Sequence, residues 1–327
     1  MKAIVCRELG SVDALEYADI EAPAPGPDQV RVRVRAAGVN FPDNLIIEGK
    51  YQERPELPFV PGMELVGVVE SCGSEVTGLE VGQRIVAACG TGAFAEQALV
   101  TASEAVRVPD GVSDTDAAGL LVVYGTSIHA LRQRAQLAAG ETLLVLGAAG
   151  GVGLSAVQLG KVMGARVIAA ASTQEKLQVA RAHGADELLD YGDGELKDKV
   201  KALTGGRGAD VIYDPVGGDL FDQSTRCINF NGRLLVIGFA SGRIPQFPVN
   251  LSLVKGFSVV GVFWGRFARK EQPALHRENM ALLFDWLLAG RFTPQIDSVF
   301  PLHETGLALK RISDRKATGK VIVQVVS

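Results

Sequence analysis

Residues 147–153, Gly-Ala-Ala-Gly-Gly-Val-Gly, join an apolar run at Thr142–Leu146 to a helical pattern at residues 154–163. A strand that turns through glycines into a helix presents free backbone N–H groups and the positive end of a helix dipole to an anion. Glycine suits such a turn because a Cβ atom would hold a pyrophosphate away from the backbone. The stretch therefore predicts a dinucleotide site, and we interpret the remaining sequence around it.

The glycine spacing departs at one position from the Gly-x-Gly-x-x-Gly pattern of dinucleotide-binding domains. Ala148 replaces the first glycine, while Gly150 and Gly153 keep the last two. Without context, the pattern also fits an ordinary Gly-rich turn between a strand and a helix. The flanking strand and helix, and a second strand candidate that ends at Ala171, favour phosphate binding. The predicted phosphate contacts are Gly150, Gly151, Val152 and Gly153.

The choice between NAD and NADP is predicted from the end of that second strand. NAD-binding domains carry an Asp or Glu there, which bonds the ribose 2′-hydroxyl. This chain has Ser172 after Ala171, and Lys176 follows in the next predicted helix. An acidic side chain would repel a 2′-phosphate, so its absence favours NADPH, with Ser172 and Lys176 as contacts. Lys176 also fits the alternative of a solvated lysine on a helix face.

Composition indicates a cytoplasmic enzyme of about two domains. The chain has 327 residues, and single cores stop growing near roughly 250–300 residues. The net charge is −4 and no five like charges are consecutive, which argues against a nucleic-acid partner or a membrane-surface anchor. We expect no signal peptide and no membrane span, since no apolar run reaches roughly 18 residues. The four cysteines form no Cys-x-x-Cys pair, as expected for a reducing compartment.

The pattern of elements predicts an α/β fold with two domains. Residues 30–35 alternate valine and arginine, which is typical of a half-exposed strand in a β-rich domain. From about residue 125, strands alternate with helices, which indicates a doubly wound parallel sheet of Rossmann type. The segment after Gly265 is too small for its own core, so we expect it to fold back onto the β-rich part. The predicted domains are residues 1–123 with 264–327, and residues 124–263.

Four stretches of the chain are similar to one family. They are Gly140 to Lys161, Gly38 to Tyr51, Leu57 to Glu64, and Ala317 to Val323. Together they resemble the quinone oxidoreductase (zeta-crystallin-like) family of the medium-chain dehydrogenase/reductase superfamily. The resemblance implies a GroES-like β-rich catalytic domain with an inserted Rossmann domain that binds NADPH.

The resemblance also allows the zinc branch of the superfamily to be tested. Zinc alcohol dehydrogenases have Cys in the place of Asn40 and His in the place of Met63. Catalytic zinc needs three ligands of the His, Cys or Glu type, and Asn and Met are poor substitutes. We therefore predict no metal. Without a Lewis acid, hydride transfer is limited to acceptors that are already activated, namely quinones and α,β-unsaturated carbonyls.

Three catalytic candidates follow from the resemblance. It implies that Asn40 lies near the nicotinamide, where its amide donates to a substrate carbonyl or orients the ring; the alternative is an Asn that stabilises its own turn. Tyr51 matches the tyrosine that delivers a proton in related enoyl thioester reductases, and otherwise packs at the domain edge. Thr126 matches a nicotinamide contact, and otherwise bonds back within its helix.

Further cofactor contacts are implied in the same way. Tyr191 would border the 2′-phosphate, or is a surface aromatic. Gly238 belongs to a loop on the nicotinamide side. Lys320 would approach a phosphate, or is an edge charge. The stretch Phe263, Trp264 and Gly265 would line the cleft, as it does in the family. Its two aromatic side chains suit a planar substrate, although such pairs also occur in ordinary cores.

These features predict an NADPH-dependent, zinc-independent reductase of quinones. Tyr51 favours the alternative of an enoyl-thioester or 2-alkenal reductase. A third hypothesis is an NADPH-binding structural or redox-sensing protein with little turnover. The resemblance further implies a homodimer through the edge strand at residues 258–262, because an uncovered apolar edge strand is otherwise a liability.

Overall fold

The computed structural model describes residues 1–325, which divide into two units. Unit 1 comprises Met1–Val122 and the segment from Arg266 onward, and unit 2 is Val123–Gly265. The sequence places the two boundaries after residues 123 and 263, one and two residues from these positions. Among the described residues, no helix is long and apolar enough to cross a bilayer.

Strands and helices occur in both units. The strands are β1 (Lys2–Val5), β2 (Glu16–Asp19), β3 (Gln29–Val39), β4 (Glu64–Cys72), β5 (Arg84–Ala88), β6 (Gln97–Thr101), β7 (Ala105–Arg107), β8 (Thr142–Leu146), β9 (Arg166–Ala171), β10 (Glu187–Asp190), β11 (Ala209–Asp214), β12 (Ile228–Val236), β13 (Ser258–Gly261), β14 (Ile296–Pro301) and β15 (Lys320–Gln324). The helices are α1 (Phe41–Ile47), α2 (Asp114–Ala118), α3 (Leu121–Ile128), α4 (Gly151–Val162), α5 (Gln174–Ala182), α6 (Leu196–Leu203), α7 (Gly218–Cys227), α8 (Asn250–Lys255), α9 (Trp264–Arg266), α10 (Pro273–Leu288) and α11 (Thr305–Ser313). Short 3-10 and π-helical segments adjoin them at Val12–Ala14, Ala102–Glu104, His129–Arg134, Phe267–Glu271 and Leu302–Glu304.

Unit 1 is built on a seven-stranded sheet. Its order is β14-β15-β3-β4-β5-β7, and β6 also pairs with β3. Strand β3 alternates because Val30, Val32 and Val34 are fully buried in the core while the arginines between them reach the surface. Strand β15 pairs antiparallel with β3, with Val321 opposite Val39. The C-terminal segment therefore folds back onto the N-terminal β-rich part, as the sequence predicts.

Unit 2 is a doubly wound sheet of six strands in the order β10-β9-β8-β11-β12-β13. All of its strand pairs are parallel. Strand β8 is buried along its whole length, as expected where helices cover both faces of a parallel sheet. The strand order reverses between β8 and β11, and ligands of such sheets bind outside the carboxyl ends of the strands at that switch point. The predicted fold class, a GroES-like domain with an inserted Rossmann sheet, is confirmed.

Candidate functional site

The glycine turn, residues 147–153, begins directly after β8. Gly147 has φ +57°, so the left-handed conformation that favours glycine falls at this residue. Ala148 is not among the residues of positive φ, and its N–H donates to Ala170 O at 3.1 Å. Alanine is thus tolerated at position 148, because the residue that needs a left-handed backbone is Gly147. Helix α4 follows, and Leu154 N–H to Gly150 O (2.8 Å) is a first intrahelical bond. The amides of residues 151–153 precede that bond.

The space around two glycines of the turn shows whether a dinucleotide fits there. A Cβ atom on Gly153 would lie 2.2 Å from Gly147 O, so only glycine lets α4 pack this closely on the turn. A Cβ atom on Gly150 would meet only Gly147 O, at 3.5 Å, and Gly150 is partly exposed. The backbone is therefore open on the outer side of Gly150, at a helix N-terminus where a phosphate is favoured. The turn fits a dinucleotide pyrophosphate.

The residues predicted to contact the 2′-phosphate lie at the carboxyl ends of β9 and β10. Ser172 is exposed directly after β9. Tyr191 follows β10, and its N–H donates to Ala171 O at 3.1 Å. Thr173 caps α5 by accepting the Lys176 N–H at 3.3 Å, which places Lys176 in the first turn of that helix. The structure thus brings Ser172, Lys176 and Tyr191 to one edge of the sheet.

An acidic residue that the sequence reasoning missed lies at the same edge. Asp190 is opposite Ala171 in the parallel register of β10 and β9. Its Oδ1 accepts the Gly192 N–H at 2.8 Å, and its Oδ2 accepts from Gln174 Nε2 at 3.2 Å. The sequence immediately after β9 has no acid, but the neighbouring strand contributes this one, so the expectation that this edge lacks an acidic side chain is corrected. Only the strand pairing could have revealed it.

The switch point is completed by the loop after β11. Asp214 is 1% exposed, and its Oδ1 accepts the N–H groups of Val216 and Gly217, both at 2.8 Å. Burial raises the pKa of Asp214 to about 6, against the lowering effect of these two bonds. A Cβ atom on Gly147 would lie 3.2 Å from Val216, so this loop borders the glycine turn. Gly238 N–H donates to Asp214 O at 3.4 Å, which brings the predicted nicotinamide-side loop to the same place.

Gly125 has two neighbours that the sequence predicts for the site. Thr126 follows it in the chain, and Trp264 packs against it in space. Thr126 is partly exposed on α3. Trp264 is 7% exposed, and a Cβ atom on Gly125 would lie 2.8 Å from its Nε1, so glycine is required where the indole meets α3. Phe263 is 49% exposed, and Gly265 is half-buried. Of the predicted aromatic pair, only Phe263 presents a large apolar surface.

In unit 1, Asn40 follows β3 and caps α1, but its amide bonds to protein groups. Its Nδ2 donates to Glu64 Oε1 at 2.8 Å and to Gly38 O at 3.3 Å. Its Oδ1 accepts from Lys320 Nζ at 2.6 Å. Both amide hydrogens are thus committed, which does not match the expectation that Asn40 donates to a substrate carbonyl. In this geometry the amide links β3, β4 and β15.

Lys320 is buried rather than placed at an edge or near a phosphate. It is 3% exposed, and its ammonium pairs with Glu64 Oε1 as well as with Asn40. The sequence-based expectation of a phosphate contact is therefore corrected, because an ammonium that is bonded to two buried oxygens is not available to a ligand. Glu64 also accepts the Val122 N–H, at 2.8 Å. Sequence reasoning missed Glu64 as a centre of this cluster, although it belongs to the Gly-Met-Glu stretch.

Asp43 and Tyr51 have pKa values raised by burial. Asp43 is fully buried, and its Oδ2 accepts the Asn40 N–H at 2.7 Å. Burial raises the pKa of Asp43 to about 7. Tyr51 is half-buried against the core of unit 1, and burial together with Glu53 raises the pKa of its phenol. The phenol is neutral at physiological pH, as an unperturbed tyrosine is, and burial makes it a weaker acid.

A catalytic zinc does not fit the residues at these positions. Asn40 stands in the place of a cysteine ligand, and the Lys320 ammonium binds both Asn40 and Glu64. Met63 offers only a thioether, which is a poor zinc ligand. Within residues 1–325, no group of three or more His, Cys, Asp and Glu side chains could hold a metal ion.

Comparisons with known proteins agree with the fold. Residues 26–110 match the family model of the alcohol dehydrogenase GroES-like domain, and residues 151–279 match that of the zinc-binding dehydrogenase. The chain is 43% identical to a quinone oxidoreductase-like protein 2 homolog of Nematostella vectensis, over 98% of this chain and 88% of that protein. It is 37% identical to a quinone oxidoreductase of Pseudomonas aeruginosa, over 98% of this chain and 99% of that protein.

Solved structures give the same result. Escherichia coli quinone oxidoreductase complexed with NADPH superposes with a TM-score of 0.92 at 26% identity, over 99% of this chain and 100% of that one. The quinone oxidoreductase of Pseudomonas syringae pv. Tomato DC3000 gives a TM-score of 0.93 at 34% identity, over 99% of both chains. The chain belongs to the zinc-free quinone oxidoreductase family of the medium-chain dehydrogenase/reductase superfamily.

Proposed function

We propose that this enzyme is an NADPH-dependent, zinc-independent reductase of quinones. The observation that carries the proposal is the glycine turn at the switch point of the parallel sheet, where Gly150 is open and Gly153 permits close packing. Relatives that are quinone oxidoreductases, one of them complexed with NADPH, support both the cofactor and the acceptor. Bound NADPH supplies the hydride, and the protein supplies binding and orientation.

The proposed cofactor contacts follow the carboxyl edge of the sheet in unit 2. The amides of residues 151–153 would hold the pyrophosphate at the N-terminus of α4. Ser172, Lys176 and Tyr191 would surround the 2′-phosphate. Gly238 would permit close approach on the nicotinamide side, since a Cβ atom there would meet only Pro215, at 3.4 Å and beyond. Thr126 would contact the nicotinamide.

We propose that Asn40 has a structural role and that Tyr51 is a general acid. Asn40 would hold the end of β3 in place through Glu64 and Lys320. Tyr51 would donate a proton to an acceptor that gains negative charge, since a phenol is protonated at physiological pH and can act as a general acid. The same role would serve a second candidate function, the reduction of enoyl thioesters or 2-alkenals, whose carbon or oxygen must be protonated after hydride addition.

We also propose a homodimer through unit 2, located in the cytoplasm. Strand β13 is the sheet edge and its residues are mostly exposed. Large apolar side chains before and along it are also exposed: Val249 (73%), Leu253 (85%), Val254 (75%) and Val259 (37%). Such an edge normally pairs with another chain or is protected. The four cysteines are free, which suits a reducing compartment. A monomer by light scattering at micromolar concentration would refute the dimer.

The deciding experiment is an acceptor panel with the purified protein. Benzoquinones and naphthoquinones, 2-alkenals and enoyl thioesters are each supplied with NADPH and, separately, with NADH. We expect the fastest NADPH oxidation with quinones. Fastest turnover of enoyl thioesters or 2-alkenals would establish the second candidate instead. Tight NADPH binding without turnover of any acceptor would overturn both and favour a structural or redox-sensing role.

A further inference from the structure

Three buried hydroxyl groups meet where α3, α4 and β11 pack together in unit 2. Ser127 Oγ lies 2.8 Å from Ser155 Oγ and 2.8 Å from Tyr213 Oη. The three side chains are 0%, 1% and 0% exposed in that order, and we name them the hydroxyl cluster. Burial raises the pKa of Tyr213, so its phenol is neutral. No chemistry proposed above uses these groups.

The bonds of the hydroxyl cluster lead to the backbone of the glycine turn. Ser155 Oγ lies 2.9 Å from Val152 O and 3.0 Å from Val123 O, and its one proton can donate to either carbonyl. Ser127 Oγ lies within 3.2 Å of the same Val152 carbonyl. Val152 is one of the proposed phosphate contacts, and Val123 belongs to α3. The cluster therefore joins α3 directly to the first turn of the phosphate-binding helix.

A second side-chain bond fixes the same pair of helices. Tyr124 Oη donates to Gln158 Oε1. Tyr124 and Ser127 are three residues apart on α3, as are Ser155 and Gln158 on α4, so each pair shares one face of its helix. The numbers rise along α3 as they fall along α4, which means that the two helices run antiparallel. A slide of either helix by one residue, about 1.5 Å, would lengthen both contacts and weaken the bonds of hydroxyls that are buried away from water.

We propose that the hydroxyl cluster is a positioning device that fixes Thr126 relative to the glycine turn. The inference rests on the proposed function, in which Thr126 contacts the nicotinamide and the turn holds the phosphates. Thr126 directly precedes Ser127 on α3, so every slide or rotation of that helix moves both. The proposed pyrophosphate contacts at the start of α4 are also held by the glycine turn and by bonds of α4 itself, such as Leu154 N–H to Gly150 O, whereas Thr126 is positioned by α3. We therefore expect loss of the cluster to change the rate of the reaction more than the affinity for the cofactor, since misplacement by about 1 Å suffices to slow a reaction.

The test compares Tyr213→Phe and Ser155→Ala with Ser224→Ala, which removes another fully buried hydroxyl of unit 2, on α7. Three quantities are measured. They are the Kd of NADPH from its fluorescence, kcat with a quinone together with the isotope effect of NADPH deuterated at C4, and amide hydrogen exchange of residues 121–128 without cofactor. For the two cluster variants we expect an unchanged Kd within about twofold, a kcat lower by about tenfold, a larger isotope effect and faster exchange. Ser224→Ala should match the wild type.

Two results would overturn the proposal. One is an unchanged kcat and isotope effect in folded variants, and the other is a weaker Kd with unchanged kcat, which would assign the cluster to cofactor affinity. If Tyr213→Phe does not fold, Ser155→Ala decides. If the wild-type protein turns over no acceptor, that result refutes the proposed function but not the positioning role of the hydroxyl cluster. In that case the exchange measurement still applies, and unaltered exchange of residues 121–128 would show that the cluster does not hold α3.

Discussion

Lys320 on β15 and Glu64 on β4 form an ion pair whose side chains are only 4% and 0% exposed. Asn40 bonds to both partners. A buried charge is costly unless it is paired and hydrogen-bonded, so the loss of one partner matters far more than the net energy of the pair. Glu64 follows Met63, which stands in the place of the histidine of the zinc alcohol dehydrogenases, and here Lys320 supplies a positive charge beside the carboxylate.

Lys320→Met should destabilise unit 1 strongly. The substitution leaves the Glu64 carboxylate buried without its cation and removes the donor to Asn40 Oδ1. We expect a loss of about 3–5 kcal/mol in the free energy of unfolding, measured by urea titration. Lys310→Met is the matched control, because its pair with Asp13 is exposed and a surface ion pair contributes little to stability. Equal losses in the free energy of unfolding of the two variants would contradict the stabilising role of the buried pair between Lys320 and Glu64.

Asp43 predicts a pH dependence of stability. Its pKa is about 7 in the folded protein, next to Glu64 and Lys320, and 3.8 in the unfolded chain. Between these values the folded state binds more protons, so this contribution is full below pH 3.8 and is lost as the pH rises through 7. In the wild type, Asp43 should account for a loss of about 2 kcal/mol in the free energy of unfolding between about pH 5.5 and 7, and Asp43→Asn should abolish that loss. The measurement is urea unfolding at both pH values, with Asp314→Asn as an exposed control; parallel curves for wild type and Asp43→Asn would refute it.

Gly153→Ala should abolish NADPH binding. Its Cβ atom would lie 2.2 Å from Gly147 O, so the turn or the helix must move. Gly306→Ala on α11 is the control, since its Cβ atom would meet only Val12 O at 3.8 Å. We expect a rise of at least about 100-fold in the Kd of NADPH for Gly153→Ala and no change for Gly306→Ala, measured by cofactor fluorescence. Wild-type affinity in Gly153→Ala would remove the glycine turn from the cofactor site.

Lys176→Ala should narrow the preference for NADPH over NADH. The lysine lies in the first turn of α5, beside Ser172, where it would pair with the 2′-phosphate. We expect the Kd of NADPH to rise by about tenfold and that of NADH to stay constant. Lys316→Ala, on the surface of unit 1, should change neither value. An equal effect on both cofactors would show that Lys176 does not distinguish them.

Tyr51→Phe separates the two candidate functions. Removal of the phenol should reduce the rate of 2-alkenal or enoyl-thioester reduction by about 100-fold, because general acid catalysis contributes roughly 10²–10⁴-fold. Quinone reduction should fall less, since a quinone oxygen that gains charge can be protonated by water. Tyr17→Phe, which alters an exposed tyrosine, should leave both rates intact. An unchanged rate with every acceptor would remove Tyr51 from the mechanism.

Much of the fold could be predicted because local patterns determined it. The apolar run Thr142–Leu146 is strand β8, and the second predicted strand ends at Ala171 as β9 does. Strand β12 (Ile228–Val236) is harder to predict, because two asparagines interrupt its apolar pattern and one of them, Asn231, has φ +58°. Sequence patterns show apolar faces well, but they do not show a strand that continues through polar residues.

The candidate site was less predictable because its details depend on distant residues. The bond from Lys320 to Asn40 joins positions 280 residues apart. A lysine near a C-terminal strand gives no local sign that it will be buried against a carboxylate. Asp190 likewise reaches the end of β9 only through strand pairing. In contrast, the glycine turn is contained within seven residues, and its role could be predicted from those residues alone.

The return of the C-terminal segment to β3 has a consequence for folding during synthesis. Unit 2 is one continuous stretch, so all of its strands have been synthesised once Gly265 is made. Unit 1 must wait for β15, which completes its sheet and brings Lys320 to Glu64. Until then, the nascent N-terminal strands have an open edge and an uncompensated acid. The Rossmann sheet can thus form first, although its first strand follows the whole N-terminal half of unit 1.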